Sequence, residues 1–176
     1  VRLTVKLALS SVLVAVAVVL SPLYFVWGPT KAYPAQHMVN SVAGVILGPL
    51  WAALIAAVVG TIRISLGTGT IFAYPGGIPG GIVVGLVYRL ATRLIKKRRL
   101  AILAASLSEP LGTILVGGTF SWYILDPLLG GSMHAKFGAI VWFLSGWALS
   151  SVTGCVLGAL CLLALDKTGL LNVLKG

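Results

Sequence analysis

Leu66-Gly-Thr-Gly-Thr-Ile-Phe-Ala-Tyr-Pro-Gly-Gly-Ile-Pro-Gly-Gly81 is dense in glycine and proline, yet apolar runs long enough to cross a bilayer flank it on both sides. Hydrocarbon offers no hydrogen-bond partners, so non-helical backbone near a membrane survives only where protein buries it or where it lines a water-accessible cavity. The stretch therefore predicts a binding site held among membrane helices, and not a simple anchor.

Composition agrees. Hydrophobic residues make up 59% of the chain and charged residues 9%, against about 25% charged in soluble domains, and the mean hydropathy is +1.07. At roughly 20 residues per spanning helix, about six spans fit with short loops. The expectation is an all-α membrane protein with one domain over residues 1–176 and no room for a second, soluble one. The net charge of +10 reads as topology and not as nucleic-acid affinity, because cytoplasmic loops collect Lys and Arg.

Helix one is predicted over Leu3 to Val26, bent near Pro22, and helix two over Ala35 to Leu47. Gly48-Pro49 turns the chain into helix three, which runs to Leu66, and helix four follows over Ile78 to Leu94. Lys96-Lys97-Arg98-Arg99 marks a cytoplasmic loop before helix five, Leu100 to Tyr123, and helix six, Phe137 to Leu165. Arg2, Lys6, Arg89, Arg93, the four at 96–99, Lys167 and Lys175 then lie inside, against Lys31 and Lys136 outside. That bias puts both termini in the cytoplasm, with Arg2 and Lys6 holding the first end in. The loops Trp27 to Pro34, Gly67 to Gly77 and Ile124 to Lys136 then face outward and close an outward-facing cavity.

Glu109 is the one acid inside a predicted span, roughly 15 Å along the helix from Arg99 and so near the bilayer centre. An intramembrane acid either ties helices together or meets a ligand. Pro110 removes the N–H that would bond the Ser106 carbonyl, so helix five should bend beside Glu109. Ser106, Glu109 and Thr113 share a face. Arg63 stands roughly 21 Å up helix three from Pro49, within reach of Glu109's depth; it either pairs with that acid or extends to the interface. His37, Asn40, Ser41 and Gly44 give helix two a small, polar face that looks into the bundle. Helix six repeats the pattern with Trp142, Ser145, Gly146, Leu149, Ser150 and Thr153.

Phe72, Tyr74, Trp122, Tyr123 and Trp27 cluster at the outer ends of spans. Each alone suits the interfacial belt; together with Glu109 and Asn40 they supply flat walls and a few placed polar groups for a small heterocycle. The chain has no G-x-x-x-x-G-K-[ST] loop, no paired His at metal spacing and no acidic cluster for Mg²⁺. No ATP hydrolysis, metal or cofactor is expected, and Cys155 and Cys161, on different sides of a helix, read as packing residues.

Lys31-Ala-Tyr-Pro-Ala-Gln-His-Met-Val-Asn40, continuing through Gly44-Val-Ile-Leu-Gly-Pro49, resembles the S components of energy-coupling factor (ECF) vitamin transporters, specifically the thiazole-specific ThiW-like group. Arg63-Ile-Ser-Leu-Gly-Thr-Gly-Thr70, Tyr74-Pro-Gly76, Tyr88-Arg89, Glu109-Pro110 and Lys167-Thr-Gly-Leu-Leu171 extend the resemblance over nearly the whole chain. It implies a six-helix substrate-capturing subunit of the prokaryotic plasma membrane that binds hydroxyethylthiazole tightly from outside. It also implies, as partners, a membrane T component and two cytoplasmic ATPases. The family's small-x-x-x-small contact on helix one corresponds to Ser11 and Ala15, with Ala8 on the same side. The binding residues expected on this reading are His37, Asn40, Arg63, Thr68, Phe72, Tyr74, Glu109, Trp122 and Trp142. Tyr74, Trp122 and Trp142 would flank the ring, and His37, Asn40 and Glu109 would bond its polar atoms. Hydroxymethylpyrimidine or thiamine is the rival ligand, and a membrane enzyme using Glu109 and His37 as acid and base is the rival from another class.

Overall fold

The computed structural model describes residues 2–175. Its helices are α1 (Leu3–Val19), α2 (Pro34–Ile46), α3 (Pro49–Ser65) and α4 (Ala73–Leu94), then α5 (Arg98–Leu128), α6 (Ser132–Phe137), α7 (Ile140–Lys167) and α8 (Leu170–Lys175). A short strand pair, β1 (Phe25–Trp27) and β2 (Thr30–Ala32), joins α1 to α2.

The first helix stops seven residues before the predicted Val26. Proline lacks an N–H and disfavours helical backbone in the residue before it, and the chain leaves the helix just ahead of Pro22 through a tight turn in which the Ser21 N–H bonds the Val18 carbonyl at 3.1 Å. The apolar residues that follow form an antiparallel hairpin, with Trp27 opposite Thr30. Gly28, at φ +54°, takes the left-handed turn position at no steric cost.

Helix four departs from expectation in the other direction, since α4 starts at Ala73 and runs straight through Tyr74-Pro-Gly-Gly-Ile-Pro79. Pro75 falls in the first turn, where N–H groups lack helical partners anyway. Pro79 lies inside the helix and leaves the Pro75 carbonyl without its usual donor. Gly117 of α5 packs so closely on that carbonyl that a Cβ there would collide with it. The break between α3 and α4 thus contracts to Leu66–Phe72, narrower than the predicted Gly67 to Gly77.

The helical hydrogen bonding of α5 changes at Pro110. Around it the chain closes with Ser108 N–H on the Ala105 carbonyl (3.2 Å) and Leu111 N–H on the Ser108 carbonyl (3.0 Å). It then winds as π-helix over Leu111–Gly118 and Ser121–Leu125. The last long helix, α7, begins at Ile140 and ends at Lys167.

α2 is the centre of the bundle, with ten of its thirteen residues buried. It packs against α4 and α7 most of all, then α3. Small residues make this approach possible: a Cβ on Gly158 of α7 would lie 2.6 Å from Ser41 Cβ, and one on Gly154 would lie 2.6 Å from His37 Cβ. α5 and α7, at 31 and 28 residues, are long and apolar enough to cross a membrane; α1 and α3 are apolar but shorter. Leu50, Leu54, Leu86, Leu90, Leu94, Leu115, Val141 and Leu160 all sit exposed on the outside. An apolar exterior of that extent suits hydrocarbon and not water.

Candidate functional site

Four helices meet at one carboxylate. Glu109 is fully buried. Its Oε1 accepts from His37 Nδ1 (2.9 Å), Asn40 Nδ2 (2.9 Å) and Thr113 Oγ1 (2.7 Å), and its Oε2 accepts from the Ser151 hydroxyl. Asn40 also donates to the Gly77 carbonyl (3.0 Å) and accepts from Gln36 Nε2 (3.3 Å). α4 contributes space: a Cβ at Gly80 would collide with Glu109 Oε1. An isolated carboxylate in this setting would cost several kcal/mol of desolvation, which the charge-assisted bonds and the His37 pairing offset. With Nδ1 committed to Glu109, Nε2 is the His37 nitrogen left for the cavity that His37 lines.

That cavity has a volume of about 390 Å³, within the range of small-molecule sites. Gln36, His37 and Ser150 line it from α2 and α7, Phe143 and Trp147 form an aromatic wall, and Arg63, Thr68 and Phe72 line it from the end of α3 and the break. The exposed Lys31 and Lys136 bring it to the surface beside the hairpin and α6. The turn after α3 is pinned by Thr68 and Gly69, whose N–H groups bond the Arg63 carbonyl at 2.9 and 3.0 Å, with Gly67 at φ +70°. Fully buried Asp126 holds α6, accepting from the N–H groups of Met133 (2.8 Å) and His134 (3.0 Å) and from His134 Nδ1 (2.6 Å).

Of the residues expected from sequence, His37, Arg63, Thr68 and Phe72 line this cavity. Glu109 and Asn40 lie behind His37 and do not line it. Tyr74 is turned toward α3, its hydroxyl 3.0 Å from Thr61 Oγ1. Trp122 is buried beneath α6, with its ring 3.9 Å from the His134 ring. Trp142 is 63% exposed and lines a smaller cavity of about 230 Å³ with Trp27 and Phe137. Of the two arrangements open to Arg63, pairing with Glu109 or extension toward the interface, the pairing is absent among the described residues. The guanidinium lies 4.0 Å over the Tyr33 ring and donates to the Thr68 carbonyl (3.3 Å), because Glu109 already has its partners. Ala8, Ser11 and Ala15 are exposed along α1.

Sequence reasoning passed over Tyr33, Phe143 and Trp147. The signal for the last two was present, since Phe143, Gly146, Trp147, Ser150, Gly154 and Gly158 recur at helical spacing and mark the face of α7 that turns inward.

A helical molecule with an apolar exterior and a part-aromatic, part-polar cavity among its helices belongs to the class of membrane proteins that hold small ligands. The particular family follows from comparison: the model described as thiamine-precursor transporter protein (ThiW) matches residues 7–168, and the chain belongs to that family. No curated protein and no solved structure matches it. Its work is the transport of a thiamine precursor across a membrane.

Proposed function

We propose that the chain is the substrate-capturing S component of an ECF importer and that its ligand is hydroxyethylthiazole, the thiazole half of thiamine. On this reading α1 to α5 and α7 are six spans of a prokaryotic plasma membrane with both termini cytoplasmic. The cavity opens outward, and a T component with two ATPases supplies the energy that a chain without a phosphate-binding loop lacks. The observation that carries the reading is the cavity of about 390 Å³ that Trp147, Phe143 and His37 line together. Flat apolar walls take the ring, and the fixed His37 Nε2, with Gln36 and Ser150, bonds its polar atoms. Thiamine itself, a cation, fits less well, because the acid that would attract it is already bonded to four donors. The same saturation argues against Glu109 as a catalytic acid or base.

Native mass spectrometry of the chain purified without added ligand, followed by calorimetric titration with hydroxyethylthiazole, tests the proposal. A retained or titrated thiazole supports it. A preference for hydroxymethylpyrimidine or thiamine would replace the ligand, and turnover by the purified chain would replace the class.

A further inference from the structure

The wall of the cavity is charged in one sense only. Lys31, Arg63 and Lys136 line it, and no Asp or Glu does. Glu109, behind His37, has its two oxygens occupied by His37, Asn40, Thr113 and Ser151. Arg63 is 5% exposed, yet none of the ion pairs among the described residues includes it. Its guanidinium lies on the Tyr33 ring and donates to one backbone carbonyl, while its buried Nε has no acceptor. A ring face recovers part of a cation's lost hydration, but a buried guanidinium carries five donors suited to a forked anion. A buried cation without a counter-charge is costly inside a membrane protein. A neutral ligand would leave that cost in place; an anionic one would remove it.

We propose that the transported molecule carries an anionic arm, a phosphate monoester or a carboxylate, and that Arg63 binds this arm inside the cavity. Lys31 and Lys136, exposed at the entrance, draw the anion in, because a cleft lined by one sign of charge concentrates ligands of the other. The arm points toward the break at Thr68 and the ring toward Trp147. This inference rests on the proposed function for the thiazole ring and amends its ligand, replacing the neutral alcohol hydroxyethylthiazole by an anionic derivative of the same ring.

Calorimetry on the detergent-purified chain with three probes decides it: hydroxyethylthiazole, its phosphate monoester, and a thiazole bearing a carboxylate arm of similar length. At least one anion should bind about tenfold or more tightly than the alcohol, as charge-assisted bonds to Arg require, and the advantage should shrink as salt rises. The stronger of the two names the anion. Arg63→Gln should erase the advantage and Arg63→Lys should keep part of it. Should Arg63→Gln not fold, the exposed pair Lys31→Gln and Lys136→Gln decides. A smaller anion advantage in that double variant supports the proposal, and an unchanged one overturns it. Equal or tighter binding of the alcohol overturns the inference and leaves the thiazole reading standing; binding of none of the three overturns both.

Discussion

Glu109 and its neighbours turn two nearby glycines into opposite experiments. A methyl group at Gly80 would occupy the place of Glu109 Oε1, so Gly80→Ala must displace the carboxylate from its donors. Overpacking and lost charge-assisted bonds together should cost about 3 kcal/mol, read as a fall in melting temperature of the detergent-purified protein. At Gly76 of the same helix an added Cβ meets nothing nearer than the Trp147 ring at 3.6 Å. Gly76→Ala should therefore leave stability unchanged or raise it by about 0.5–1 kcal/mol, the usual gain from restricting glycine in a helix. A second pair concerns tryptophan. Trp147 lines the main cavity and Trp142 does not, so Trp147→Leu should weaken thiazole binding about tenfold or more, while Trp142→Leu should stay within about twofold. Titration of both variants with one ligand gives the answer; equal losses would move the ring to the smaller cavity.

Among the elements, those bounded by strong punctuation were legible in the sequence. Gly48-Pro49 turns the chain between α2 and α3 as expected, and Lys96 and Lys97 lie between α4 and α5, although Arg98 and Arg99, expected in that loop, already form the first turn of α5. The hairpin was not legible, because Phe25-Val-Trp27 continues an apolar run that reads as helix until a partner strand is known. The early start of α4 was hidden by Pro75 and Pro79, which count as breakers in sequence but are accommodated here by the helix's first turn and by Gly117. Trp122 was misplaced for another reason: π-turns after Leu111 advance the chain differently from the 3.6 residues per turn that face-reading assumes. On α7 the adjacent Ser145 and Gly146 allowed two stripes one residue apart, and the inward one carries Trp147. The break itself should be the mobile element. The N–H groups of Ile71 and Phe72 find no acceptor among the described residues, so hydrogen exchange there should be fast and should slow when thiazole binds. Identical exchange with and without ligand would remove any gating role for residues 67–72.

At the scale of the whole molecule, the cavity and α1 are separate provinces. Among the helices, α1 packs on α3 and α2 and borders no part of the cavity, and its small residues Ala8, Ser11 and Ala15 are exposed. Small residues in membranes permit close helix approach, which suits docking of the T component in the proposed importer. Replacing Ser11 and Ala15 by Trp should abolish uptake and complex assembly, while ligand affinity of the isolated chain shifts by less than about 0.5 kcal/mol. Loss of ligand binding in the purified double variant would show instead that this face supports the fold. The contact between α4 and α5 has a consequence of another kind. At Gly80, Gly112 and Gly117 the space beyond Cα is already filled by Glu109, the Pro79 carbonyl and the Pro75 carbonyl. Every amino-acid-changing base substitution in a glycine codon adds at least a Cβ. The packing therefore reaches down to the DNA: at those codons an amino-acid change through either of the first two bases, both guanine, brings in a Cβ that the neighbouring helix already excludes, and only the third base is free to drift.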